Sequence, residues 1–149
     1  MISELLKRES IIVDLKGSTK EEVLKELIEL GGRLGCIGDK EMFYNKILEL
    51  ENLGSSALEK GVAIPHIRDN FISEIFLLFG ISKQGAQFDS IDGQPSKLIF
   101  FIGAKRNDKA YLPLLSRISR MCSYAENREA LLAARTEQEI IDIIKKWEG

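Results

Sequence analysis

The chain has 149 residues, 44% of them hydrophobic and 30% charged, with 21 Lys and Arg against 23 Asp and Glu. That is the make-up of one soluble globular domain; it excludes disorder and a strongly basic nucleic-acid surface. No apolar run approaches the roughly 20 residues of a membrane helix, and the charges in MISELLKRESIIVDLK exclude a secretory signal, so a cytoplasmic location without membrane insertion is expected.

Ser10–Leu15 (SIIVDL) reads as a short strand, β-branched and bounded by charges and Gly17. Ser18 and Thr19 stand three residues before Glu21 and Glu22, a capping box that opens a helix. Its apolar face is Val23, Leu24, Leu27, Ile28 and Leu34, with Gly31, Gly32 and Gly35 weakening or ending it. Asp39 is placed to cap a second helix carrying Met42, Phe43, Ile47 and Leu50. Asn52–Lys60 (NLGSSALEK) is small and polar, hence loop, and Gly61–Pro65 (GVAIP) is a short buried strand halted by proline. Ile75–Ser82 and Leu98–Gly103 are near-continuous apolar runs, the mark of central strands covered on both faces, and Asp92-Gly93 between them signals a turn.

From Asp108 onward the chain reads as helical. Leu112, Leu115, Ile118 or Ser119, and Cys122 form one stripe, with Pro113 tolerated in the first turn. Asn127 is placed to cap a short helix with Leu131 and Leu132. Thr136 with Glu139 opens a last helix burying Ile140, Ile141, Ile144 and Trp147. The succession defines an α/β domain in two or three layers, with residues 1–149 forming a single domain.

One histidine is present, His66, directly after the short strand and its proline in GSSALEKGVAIPH. A neutral imidazole is a good nucleophile near neutral pH, and the small residues around it leave backbone N–H groups and hydroxyls free to hold an anion. A single histidine makes a histidine-based metal site untenable, and the two cysteines, Cys36 and Cys122, make neither a zinc site nor a disulfide framework. Neither a metal nor a cofactor is expected. No Gly-x-Ser-x-Gly, Gly-x-Gly-x-x-Gly or P-loop motif occurs.

The stretch LGSSALEKGVAIPH resembles the active-site signature of the fructose/mannitol-type enzyme IIA domains of the sugar phosphotransferase system, which include the nitrogen-related regulatory form. Gly61, Val62, Ala63, Ile64, Pro65 and His66 match that signature position for position, and FDSIDGQPSKLIFFI resembles the family's Asp-Gly-Gln-Pro segment and following strand. The resemblance covers essentially the whole chain. It implies a mixed central β-sheet flanked by helices, with the histidine beside a groove that docks the histidine phosphocarrier protein. It also implies a reaction: phosphoryl passes from that carrier to His66, and then to a permease IIB domain or, in regulatory members, into control of a kinase or transporter.

Several positions depart from the family pattern. Glu51 stands where the family has arginine, and a carboxylate about 4 Å from a phosphoryl oxygen costs several kcal/mol at an effective dielectric near 20. The family's Ser/Thr-Gly pair is Ser56-Ala57, a further loop glycine is Glu59, and a second histidine is replaced in the pair Tyr111-Leu112. Ile67 replaces a small residue, and Arg68 after it offers a guanidinium to supply the missing positive charge. The expected supporting set for His66 is therefore Ser56, Arg68 and Tyr111, with Glu51 opposing them. Two rivals stand beside the phosphocarrier reading: a phosphorylation-impaired regulatory module of the same fold, and, more remotely, a hydrolase using Ser56 and His66. The sequence does not choose between Nε2 and Nδ1.

Overall fold

The computed structural model describes Met1–Gly149. Five strands form one mixed sheet: β1 (Ile11–Ile12), β2 (Val62–Ala63), β3 (His66–Arg68), β4 (Phe76–Ala86) and β5 (Ser96–Ala104). Their order is β1-β4-β5-β2, with β3 also on β5; β4 and β5 are antiparallel and every other pairing is parallel. The expected strand over Ser10–Leu15 is thus only two residues long, because a 3-10 turn at Arg8–Ser10 leads into it.

Side-chain alternation along β4 and β5 divides the core into two layers. Leu77, Phe79, Ile81, Leu98, Phe100 and Ile102 face one cluster, which is closed by α1 (Ile2–Leu5), α4 (Tyr111–Cys122), α5 (Ala125–Ala133) and α6 (Glu137–Glu148). Phe76, Leu78, Ile99 and Phe101 face the other, closed by α2 (Lys20–Leu34) and α3 (Lys40–Leu53). The domain therefore has three layers.

Thr19 and Glu22 form the reciprocal capping box of α2, and Asp39 accepts from Met42 N–H to cap α3. Gly31 and Gly32 do not break α2. It ends at Gly35, whose φ of 83° is the left-handed conformation a helix terminus requires. On α4 the expected stripe is rotated: Tyr111, Leu114, Ile118 and Met121 are buried, whereas Leu112 is 59% exposed. The helix starts on an inward-facing tyrosine, so the i, i+3, i+7 seam runs from Tyr111 and leaves Leu112 outside it. Asn127 does not cap α5 but lies inside it, donating from its side-chain amide to the Met121 carbonyl at the end of α4. Asn52 and Leu53, expected in a loop, are the last residues of α3.

Glu148 in α6 ties distant parts of the chain together. Its carboxylate accepts from Ile2 N–H, Ser3 N–H and Ser3 Oγ–H at 2.9, 3.1 and 2.8 Å, and from Arg117 Nε–H on α4 at 2.8 Å. Burial alone would raise this carboxyl, but the four donors outweigh it and hold the pKa at about 2. A folded pKa below the unfolded one gives stability that is full above the unfolded value, about 4.3, and is lost as pH falls toward the folded one. Glu148→Gln is expected to destabilise the fold by about 2–3 kcal/mol at neutral pH. Thermal denaturation should show the gap between the two proteins closing between about pH 5 and pH 2.

Candidate functional site

Gly61, at a φ of 80°, turns the chain into β2. Val62 pairs with Leu98 and Ala63 with Ile99; past Pro65, His66 pairs with Ile102, Ile67 with Gly103 and Arg68 with Ala104. The register is unchanged across the gap, so β2 and β3 are one strand along β5, interrupted where Pro65 has no N–H to give. Pro65 still accepts through its carbonyl from Ile102 N–H. The strand expected over Gly61–Pro65 thus continues beyond the proline to Arg68, because pairing with β5 resumes at His66.

Period-two alternation then sets the site. Ile67 points into the core and is 1% exposed, while His66 and Arg68 share the opposite face. The residue at position 67 is thus a core residue. His66 is half-buried, and its Nδ1 lies 2.6 Å from the Ile64 carbonyl oxygen. A carbonyl only accepts, so Nδ1 carries the proton and the lone pair is on Nε2.

Ser55–Leu58 folds back on the strand, with Ile64 N–H donating to the Ser56 carbonyl and Leu58 N–H to the Val62 carbonyl. Ser56 is thereby brought to the same cavity as His66, a space of about 430 Å³ also lined by Lys46, Glu51, Arg68, Arg106 and Tyr111. Tyr111, the first residue of α4, is 3% exposed; its ring centre is 6.0 Å from that of His66, and the Arg68 guanidinium lies 4.5 Å above it. That cation–π contact holds an otherwise mobile arginine over the site. Burial pushes the Tyr111 hydroxyl above its ordinary pKa, with Arg68 opposing, so the phenol is a neutral donor at neutral pH.

Glu51 continues the buried stripe of α3 from Phe43 and Ile47, four residues apart each time, and is itself 5% exposed. Its carboxylate accepts from Ser56 N–H at 3.2 Å and from Ser56 Oγ–H at 3.0 Å. The Ser56 proton is thus already engaged. Burial raises the Glu51 carboxyl above its usual value, with Ser56, Lys20 and His66 pulling it back.

All the singled-out residues, His66, Ser56, Arg68, Tyr111 and Glu51, therefore line one cavity. Sequence reasoning missed Lys46 and Arg106, which add two cations. Arg106 pairs with Asp69 at 3.7 Å but remains 64% exposed, so its charge is available to the cavity. The neighbouring cavity, about 550 Å³, carries Asp39, Glu41, Glu49 and Asp69 and repels an anion. No group of histidine, cysteine and carboxylate side chains is disposed to hold a metal ion, and no helix is long and apolar enough to cross a membrane.

A mixed sheet thus lies between two helical layers, with a histidine set at a proline-broken edge strand among basic residues. The chain belongs to the type 2 enzyme IIA family of the phosphoenolpyruvate-dependent sugar phosphotransferase system, whose model matches residues 4–147. It is 34% identical over 146 residues to the fructose-specific EIIABC component of Bacillus subtilis, covering 97% of this chain and 23% of that protein. It is 33% identical over 144 residues to a nitrogen regulatory protein of Bradyrhizobium diazoefficiens, covering 96% of this chain and 94% of the relative. The structure of the nitrogen regulatory protein IIA-Ntr from Neisseria meningitidis superposes with a TM-score of 0.88 at 28% identity, over 96% of this chain and 98% of that one. The mixed sheet and flanking helices expected from the resemblance are present.

Proposed function

We propose that His66 accepts a phosphoryl group at Nε2 from the histidine phosphocarrier protein. The protein passes it to a IIB-type domain or uses its phosphorylation state to regulate a partner. The observation that carries this reading is the bond from Nδ1–H to the Ile64 carbonyl, which orients the only imidazole of the chain and leaves Nε2 as the nucleophile. Phosphoryl transfer needs little machinery beyond an aligned nucleophile and positive charge around the transferred group. Lys46, Arg68 and Arg106 supply that charge and Tyr111 a neutral donor. A IIB-type recipient is supported by a relative whose name joins A, B and C parts, and a regulatory role by the nitrogen regulatory relative.

A second reading, a regulatory module that resists phosphorylation, is favoured by the buried Glu51 carboxylate in the cavity. One experiment separates the two. Intact mass is measured after incubation with phosphoenolpyruvate, enzyme I and the phosphocarrier protein, and again after mild acid. An acid-labile gain of one phosphoryl group, absent in His66→Ala, is the expected result. No gain with active partners would leave the regulatory module.

A further inference from the structure

Glu51 is an anomaly for an anion-receiving cavity: a carboxylate, 5% exposed, that takes part in no ion pair. Its only hydrogen-bond donors are the N–H and Oγ–H of Ser56. The charged and titratable groups around it come from every neighbouring element. Lys46 belongs to its own helix, His66 and Arg68 to β3, Arg106 to the segment after β5, and Tyr111 to α4. Lys20, on α2, acts from further off and is itself paired with Asp89 at 3.2 Å. None of the cations neutralises the carboxylate directly.

We infer that Glu51 is the proton-binding partner of His66: when His66 is phosphorylated, the Glu51 carboxylate takes up one proton from water and reverses its hydrogen bond with Ser56 Oγ. The inference rests on the phosphoryl-acceptor reading of His66. In the transfer, the donor's P–N bond breaks and leaves its electron pair on the donor nitrogen. The Nε2 lone pair of His66 forms the new P–N bond, and Nδ1 keeps its proton on Ile64. The arriving group brings net negative charge into a cavity that already holds a buried carboxylate, and a nearby like charge disfavours the ionised form of that carboxyl. A proton on Glu51 removes that repulsion. It also turns the residue from acceptor to donor toward Ser56 Oγ, which frees the serine proton to bond a phosphoryl oxygen. Ser56 thus becomes a ligand only after Glu51 is protonated. The upward displacement of the Glu51 carboxyl by burial is in the direction this requires.

The test is the equilibrium between the phosphorylated histidine phosphocarrier protein and this chain, measured by phosphohistidine content from pH 6 to pH 8 in wild type and in Glu51→Gln. Glutamine matches protonated glutamate in shape and neutrality, can likewise donate to Ser56 Oγ, and cannot titrate. Comparing the two proteins cancels the titration of the donor, which is common to both. Uptake of one proton makes the ratio of the wild-type to the variant constant rise up to about tenfold for each unit drop in pH. Parallel pH profiles would overturn the inference and leave His66 as phosphoryl acceptor intact. Absence of phosphoryl transfer to either protein would overturn that reading, and the inference with it. Should the variant fail to fold, the wild-type infrared spectrum decides: phosphorylation should bring up a protonated-carboxyl band that shifts with ¹³C-labelled glutamate, and its absence would overturn the inference.

Discussion

With His66 as the proposed phosphoryl acceptor, Arg68→Ala is expected to slow acceptance about a hundredfold, corresponding to about 3 kcal/mol of lost transition-state stabilisation. Arg68 shares the face of His66 on β3, and Tyr111 holds its guanidinium 4.5 Å from the ring centre. Positive charge fixed in place before the phosphoryl arrives needs no reorganisation during transfer. Lys46 and Arg106 line the same cavity and supply part of the same charge, so the loss is large but not complete. Arg68→Lys should recover only part of the rate, since lysine supplies charge without the planar face that stacks on Tyr111. Rapid-quench measurement of single-turnover transfer gives the number. Arg68 is exposed, so chemical denaturation should show little change in stability; a large fall would mean the arginine serves the fold.

The second large effect is on the fold. Phe100→Ala should cost about 3–5 kcal/mol, a substantial part of what a domain this size has to lose. Phe100 is fully buried in the central strand β5, and its ring lies 4.4 Å from that of Phe79 on β4. Truncation removes both the burial and an aromatic pair from the junction of the two longest strands, where close-packed neighbours collapse only partly into the space left. Guanidinium unfolding measures the difference. Ile91→Ser provides the contrast: Ile91 is 91% exposed, and the change should stay within about 0.5 kcal/mol.

The parts of this protein legible in its sequence are those specified locally. Thr19 and Asp39 announce their helices because a cap is a bond between residues three apart. The runs that become β4 and β5 stand out because both faces are buried. His66 is legible because it is alone and lies in a glycine- and proline-marked motif. Long-range pairing is what the chain hides. β3 is invisible in His-Ile-Arg alone, since its register comes from β5, and Lys46 and Arg106 look like ordinary solvent-facing charges until the fold brings them to one cavity. Glu51 lay between these cases. Its place on the Phe43–Ile47 stripe is readable, but the partner that occupies it, Ser56, belongs to a loop whose path depends on β2.

The carboxylate of Glu148 reaches the backbone of residues 145 and 146 positions away in sequence. α1 is a single turn, too short to persist unaided, and its first N–H groups are satisfied by the far end of the chain. Fraying of the last turn of α6 therefore releases α1 as well, and loosens the grip of Arg117 on the same acid. In hydrogen exchange α1 and the last turn of α6 would open as one cooperative unit, sharing a single local unfolding energy.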